Sequence, residues 1–422
     1  MANEYAAKAI LSGIFDQGSF TELDRLTDNC EVVTGFGSIN GCPCYAFVQD
    51  ADVNGGAMGA KQADKLIKLY DLAEKTGYPI IGVYDSIGGH IDEGLGAMQA
   101  YSSLIAKADR LSGVVPQIAV IKGICGASSA IWAMCSDIVI ATKDAKLFLD
   151  KSGDDGIDAN KNAQIIADDL ASALENAKNL ICALPSNNLG EAPIADMAGA
   201  DCGCGCIIAR IADAGSVIPL NKGEEYSAKT AFARLGGMSV GMINVDGVIK
   251  SKDSKKIISF LGICDAYSIP VITFVNTEGY YTSCNCSLKS AAALTKAYAN
   301  ATTAKITVIN GKAYGPAYMT FAGKASGADE VIAVNGSVIS PIDPEAAMNI
   351  VYNKRILDGE DKQVLLDEYI KNEASAEKAA SNGYVSDIVN EDELCAKLRI
   401  TLDMLLSKRV STLDKKHTVT IL

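Results

Sequence analysis

Apolar positions along this chain alternate between two spacings. Leu66, Leu69 and Ala73 fall on one face of a helix, an unbroken apolar run follows at 80–84, and a glycine-rich turn closes the segment. The same order returns later, with Ile257, Phe260 and Cys264 on one helical face ahead of the run 271–275. Residues 117–121 read as a further strand that runs into a turn and a helix of small residues, and 305–309 do likewise. The segments 137–141 and 330–334 are the next strands. Helices alternating with buried strands predict α/β layering with crossover connections. In the tail, Leu394, Leu398, Leu402 and Leu405 recur at helical spacing within 391–406, which predicts a helix packed on a neighbouring domain or subunit.

The pattern is written twice. Ile14, Asp16, Gly18, Ser19 and Leu23 return as Ile211, Asp213, Gly215, Ser216 and Leu220, an offset of 197. Thr34, Phe36 and Gly41 return as Thr230, Phe232 and Gly237 at 196, Pro79, Ile80 and Ile81 as Pro270, Val271 and Ile272 at 191, and Gly123 as Gly311 at 188. An offset that falls slowly is what two copies with small loop deletions produce. With 422 residues the chain also exceeds what one hydrophobic core usually supports. Two domains are expected, 1–205 and 206–422, joined through 185–206, where Pro, Gly, Asn and Asp cluster, with a site where the repeats meet.

Composition narrows the class. Apolar residues make up 49%, yet no long uncharged run and no apolar leader occur, so a cytoplasmic protein is expected. A net charge of -13 excludes a nucleic-acid partner, which needs a basic face. Thirteen cysteines are scattered without a disulfide framework. The close sets Cys42/Cys44, Cys202/Cys204/Cys206 and Cys284/Cys286 have spacings too tight for zinc, so reduced thiols and no metal are expected.

The chemistry is most legible at two strand–turn–helix junctions. In the first, Gly123, Ile124 and Cys125 lead into Gly126, Ala127, Ser128 and Ser129. In the second, Gly311, Lys312, Ala313 and Tyr314 lead into Gly315, Pro316, Ala317 and Tyr318. Small residues at a helix start let a carbonyl oxygen approach amides that have no intrahelical acceptor, the build of an oxyanion hole. Two such holes suit a reaction in which two carbonyl oxygens gain negative charge, that is, acyl or carboxyl chemistry through an enolate. With only His90 and His417 in the chain, a serine–histidine triad has few candidates.

These residues resemble the carboxyltransferase subunits of biotin-dependent acyl-CoA carboxylases and decarboxylases, such as the propionyl-CoA carboxylase β subunit. The resemblance covers most of the chain. It rests on Asp16, Gly18, Ser19 and Phe20; Gly55 and Gly56; Asp85, Ser86, Gly88, Gly89, Ile91, Glu93 and Gly94; Val114, Pro116, Gln117, Ile118 and Cys125; and Phe232, Ala233, Arg234, Leu235 and Gly236. Cys264, Asp265, Ala266, Ile269, Pro270, Ile272 and Thr273 through Val275 also match, as do Lys312, Ala313, Tyr314, Gly315, Ala317 and Tyr318, and Ser407, Lys408, His417, Ile421 and Leu422 near the end.

The resemblance implies two tandem crotonase-like (ClpP/crotonase superfamily) α/β domains, with coenzyme A thioester on the N-terminal domain and biotin on the C-terminal domain of another subunit, commonly in a homo-hexamer. It implies a catalytic set of Ala127, Ser128, Pro316 and Ala317, and substrate binding by Gly88, Gly89, His90, Cys125, Gly126, Tyr314, Gly315, Tyr318 and Met319. It also implies biotin delivered by a separate biotin carrier protein, and a biotin carboxylase or membrane decarboxylase subunit as further partner. Carboxybiotin brings the activated carboxyl group, and biotin nitrogen can serve as base, so a catalytic side chain is not required.

Several positions depart from that pattern. His90 stands where relatives often have arginine, Pro316 replaces the usual glycine and carries no amide hydrogen, and Met319 stands where aspartate is common. Between Leu149 and Leu184 the usual glycine-rich segment gives way to Asp154, Asp155, Asp158 and a helical pattern over 162–184. Asp92 and Glu93 read as solvated turn residues rather than an acid and base, while Lys122 and Lys61 are candidate phosphate contacts. Two alternatives stand beside the carboxyltransferase: a biotin-independent crotonase-type hydratase, isomerase or decarboxylase, and a non-catalytic scaffold subunit that kept the fold.

Overall fold

The apolar runs at 80–84 and 117–121 lie in neighbouring parallel strands, and their counterparts at 271–275 and 305–309 do the same. The computed structural model describes residues 4–26, 31–149, 157–158, 162–195, 206–220, 226–283, 286–411, 413 and 419. It divides into two compact units, Met1–Pro193 with Leu220–Lys222, and Ile194–Pro219 with Gly223–Leu422.

The first unit holds β1 (Thr21–Leu23), β2 (Val32–Ile39), β3 (Cys42–Gln49), β4 (Ile80–Ser86), β5 (Gln117–Gly126), β6 (Ile138–Thr142), β7 (Lys146–Phe148), β8 (Ile157–Asp158) and β9 (Ile165–Ala167). They form one sheet in the order β1-β2-β3-β4-β5-β6-β9, with β7 paired to the end of β5 and β8 to β7. Next come β10 (Ile218–Leu220), β11 (Ala228–Leu235), β12 (Met238–Asp246), β13 (Val271–Thr277), β14 (Lys305–Tyr314), β15 (Glu330–Val334), β16 (Val338–Ser340) and β17 (Asp387–Val389). The second sheet runs β10-β11-β12-β13-β14-β15-β17, with β16 on the end of β14. In both, an antiparallel hairpin (β2–β3, β11–β12) leads into parallel strands, so the repeat read from residue offsets is a repeat of topology.

The repeated residues have identifiable work. Both hairpins turn through two residues of positive φ, Asn40 (48°) and Gly41 (79°) in one and Gly236 (63°) and Gly237 (83°) in the other, the geometry that matches strand twist. Asp16 accepts hydrogen bonds from the Gly41 and Asn40 amides, both at 2.9 Å, and Asp213 accepts from Gly236 (3.0 Å) and Gly237 (2.7 Å). Donation by the Gly41 amide, then by Asn40, holds the Asp16 carboxyl below its usual range. Such a group stabilises the fold at pH above about 4, and the contribution is lost as pH falls through the lowered folded value. Asp16→Asn is therefore expected to lower Tm at pH 7, with the gap to the parent closing as the pH is taken below 3. Thermal melts across that range check it, and a gap that stays constant with pH would refute the charge-based account.

The helix Ala60–Thr76 buries Leu66, Leu69, Tyr70 and Ala73 and stops at Gly77, whose left-handed backbone (φ 69°) lets its amide reach the Ala73 carbonyl. Its repeat, Ser251–Ala266, buries Ile257, Phe260 and Cys264 and has Asp253 accepting from the Lys250 amide at its start. Lys65 and Lys256 occupy matching positions and donate to the Val32 and Ala228 carbonyls at 3.0 Å each. Burial pulls the Lys256 ammonium down to about 8.

Two expectations change. The pattern over 162–184 is not one helix: Ile165–Ala167 is a strand on β6, and the helix Leu170–Ala183 starts only after Asp169, whose carboxylate accepts from the Ser172 amide. Alternating buried Ile165 and Ala167 beside a sheet edge outweighs their helix propensity. Asp158 lies in β8, while Asp154 and Asp155 fall outside the described residues. The C-terminal helix, Leu394–Leu405, buries Leu394, Leu398 and Leu402 within its own unit, where Arg399 meets Asp213 at 3.1 Å. Among the described residues no helix is long and apolar enough to cross a membrane.

Candidate active site

The first junction forms where β5 overruns its neighbours. Gly126, its last residue, lies so close to the turn after β4 that a Cβ there would stand 2.5 Å from the Ile87 carbonyl oxygen. Ala127 then takes φ 46°, ψ -116°, an uncommon conformation for a residue with a side chain, and the helix Ser128–Met134 begins. The Ala127 amide donates to the Phe148 carbonyl at 2.6 Å, so the first amide left over at this helix start is that of Ser128.

The loop opposite is pinned on both sides of one residue. The Gly88 amide donates to Ser86 Oγ at 3.1 Å, and the Gly88 carbonyl accepts from the Met58 amide (2.9 Å) and the Tyr101 hydroxyl (3.2 Å). The His90 amide donates to the Met58 carbonyl at 2.9 Å. Gly89, between them, has its amide on the other edge of this bridge. Among the described residues, neither the Gly89 nor the Ser128 amide has a protein acceptor.

The second junction repeats the main-chain bonds of the first. Gly315 takes φ 52°, ψ -127°, and its amide donates to the Ser340 carbonyl at 2.9 Å. The Gly279 amide donates to Thr277 Oγ1 at 3.0 Å, the Gly279 carbonyl accepts from Ile249, and Tyr281 donates back to the Ile249 carbonyl. Gly279, Tyr280 and Tyr281 thus stand for Gly88, Gly89 and His90, and Gly315 and Pro316 for Ala127 and Ser128. Pro316 contributes no amide hydrogen, and the first donor of its helix, Pro316–Phe321, is Ala317.

The remaining expected residues are placed as follows. Burial pushes the Cys125 thiol up to about 12, with Ser129 Oγ at 3.5 Å, which leaves it a packing group. His90 faces the buried Glu31 carboxylate at 3.5 Å and Asp92 at 3.7 Å. Tyr314 is buried, the Tyr318 hydroxyl donates to the Tyr384 carbonyl at 2.9 Å, and Met319 is half exposed. Glu93 is the exposed turn residue expected, and its carboxylate also accepts the Ala60 amide at 2.8 Å, at the start of a helix. Lys122 is paired with Asp85 at 3.2 Å, whereas Lys61 is exposed.

Among the described residues no group of three or more His, Cys, Asp or Glu could hold a metal. Cys202, Cys204, Cys284 and His417, with Ile421 and Leu422, lie outside the described residues. Cys44 and Cys206 are free thiols, but Cys286 is disulfide-bonded, against the expectation of reduced thiols throughout.

The sequence missed three participants: Met58 and Ile249, which pin the loops, and Phe148, which takes the Ala127 amide. Met58 and Ile249 are related by the same offset of 191 that links Pro79 to Pro270, so the repeat carried a signal for them. Phe148 and Ser340 do not resemble each other, because each acts through its main-chain oxygen.

Comparison with known proteins agrees with this architecture. The family model described as the carboxyl transferase domain matches residues 3–157 and 159–420. Methylmalonyl-CoA decarboxylase subunit alpha of Veillonella parvula is 31% identical, over 97% of this chain and 92% of that protein. The methylmalonyl-CoA carboxyltransferase 12S subunit of Propionibacterium freudenreichii subsp. shermanii is 31% identical, over 92% and 83%. The crystal structure of a hexameric transcarboxylase 12S with methylmalonyl-coenzyme A bound is similar at a TM-score of 0.90 and 29% identity, covering 99% of this chain and 92% of that one.

Proposed function

The chain belongs to the carboxyl transferase domain family, and from that premise we propose that it moves a carboxyl group between carboxybiotin on a separate carrier protein and a short-chain acyl-CoA of the acetyl, propionyl, malonyl, methylmalonyl or glutaconyl class. The observation that carries this reading is the repeated pairing of a pinned loop with a strained helix start, where among the described residues no protein acceptor meets the Gly89 and Ser128 amides in one unit or the Tyr280 and Ala317 amides in the other.

A thioester oxygen seated between the Gly89 and Ser128 amides is stabilised as it takes on enolate charge. Donors fixed in advance cost no reorganisation at that moment, and losing one typically lowers kcat by about 10²–10³-fold. The Tyr280 and Ala317 amides do the same for the ureido oxygen of biotin. Carboxybiotin supplies the activated carboxyl group when bound, and the chain's own part is to orient and polarise. The acyl group extends beside Met319, and exposed Lys61 is the candidate contact for coenzyme A phosphate. In the cell the protein works as a homo-hexamer with a biotin carrier and a biotin carboxylase, or in the cytoplasm peripheral to a membrane decarboxylase subunit.

Purified protein incubated with malonyl-, methylmalonyl- or glutaconyl-CoA and either free biotin or a biotin carrier is expected to lose the carboxyl group only when biotin is present. Turnover without biotin would support the crotonase-type alternative. The missing Pro316 amide favours the scaffold alternative, and absence of turnover with every carrier would support it.

A further inference from the structure

Two of the positions at which the junctions differ are the first helical residue, Ser128 against Pro316, and one a turn further on, Trp132 against Thr320. These two differences are connected. Thr320 Oγ1 lies 2.9 Å from the Pro316 carbonyl oxygen, 2.8 Å from the Tyr280 hydroxyl and 2.8 Å from Thr295 Oγ1. A hydroxyl has one proton to give. With the Thr320 proton on the Pro316 carbonyl, the Tyr280 hydroxyl must donate to Thr320 Oγ1, which makes a directed chain from Tyr280 through Thr320 to Pro316.

That carbonyl belongs to the same peptide group as the Ala317 amide. A hydrogen bond accepted at the oxygen of a peptide strengthens donation from its N–H, and chains of such bonds reinforce one another. We propose that Tyr280 and Thr320 are positioning residues of the second junction, which set the spacing between the Tyr280 and Ala317 amides and polarise the Pro316–Ala317 peptide in compensation for the amide that proline lacks. This rests on the reading of that junction given under the proposed function.

The first junction needs no such device. Ser128 retains its amide, and the equivalent of Thr320 is Trp132, a packing residue. Backbone contact sets the spacing there, since a Cβ on Gly88 would stand 3.3 Å from the Gly126 carbonyl oxygen, whereas one on Gly279 would stand 3.9 Å from that of Tyr314. The hydroxyl chain occurs in the unit where the backbones are further apart and the first amide is missing.

The test is steady-state kinetics of biotin-dependent carboxyl transfer by full-length Thr320→Val, Thr320→Ser and Tyr280→Phe proteins, with thermal melts alongside. Thr320→Val and Tyr280→Phe are expected to lower kcat by about 10-fold, less than the loss on deleting a donor outright, with KM for both substrates unchanged. Thr320→Ser is expected to restore kcat. Parental kcat in Thr320→Val and Tyr280→Phe overturns the proposal, as does failure of serine to rescue, since the role would then be packing alone. If Thr320→Val does not fold, Tyr280→Phe decides, because it keeps the ring in place. A parent protein without biotin-dependent turnover would overturn the functional reading and this inference with it, whereas an active parent with unaffected variants overturns the inference alone.

Discussion

Gly126→Ala is expected to lower carboxyl transfer by about 100-fold in a protein that still folds. The new Cβ would lie 2.5 Å from the Ile87 carbonyl oxygen, 2.9 Å from its carbon and 3.4 Å from Ile87 Cα, all of them backbone atoms. No side chain can rotate away. β4 and β5 stay paired as far as Ser86 and Cys125, past a register shift after Tyr84, so relief has to come from the loop that follows, which carries the Gly89 amide. Misplacement of a reacting group by about 1 Å can cost about 10²-fold. Overpacking of this kind costs about 1–3 kcal/mol of stability. Comparing kcat and Tm with the parent checks both numbers, and Gly13→Ala, where an added Cβ meets nothing within 4 Å, serves as the control. Parental kcat in Gly126→Ala, with a shifted Tm that proves the strain, would mean that the loop and helix start do not hold a reacting oxygen.

Trp132→Ala is expected to cause the largest loss of stability, about 3–5 kcal/mol in the unfolding of the first unit. Trp132 is 1% exposed, stacks on Phe47 with ring centroids 5.1 Å apart, and meets the edges of Tyr84 at 4.8 Å and Tyr101 at 6.5 Å. Removing it opens a cavity directly behind the site helix and next to the tyrosine whose hydroxyl holds the Gly88 carbonyl. Turnover is expected to fall with stability, and Trp132→Phe to lose less of both. Denaturant unfolding followed by circular dichroism is the measurement, since Trp132 is the only tryptophan. An unfolding midpoint for Trp132→Ala within experimental error of the parent would show that neighbouring rings close the gap.

Much of the architecture was legible in the residues. The faces Leu66–Leu69–Ala73 and Ile257–Phe260–Cys264 are buried as their spacing predicts, and the apolar runs are the central strands. The junctions were visible as stretches of small residues, yet the donors were not. Ala127 stands beside Ser128 in the chain, but its amide is taken by Phe148, and in the loop opposite it is the Gly89 amide, among the described residues, that has no protein acceptor. Glu93 is the exposed turn residue its surroundings in the sequence suggest, but the helix start it meets at Ala60 was not legible there. The segment 162–169 was misread because the edge of β6, which draws Ile165–Ala167 into the sheet, leaves no mark on its own periodicity.

The chain by itself determined the twofold repeat, the order of strands and helices, the hairpin turns under Asp16 and Asp213, and its family. All of these follow from spacing and conformational preference among near neighbours, which residue identities carry directly. Only the folded protein decided which amides remain without acceptors and that the hydroxyls of Tyr280, Thr320 and Thr295 meet. Those outcomes depend on main-chain oxygens and hydroxyls brought together from separate strands and helices, and a peptide carbonyl is chemically the same whichever residue bears it.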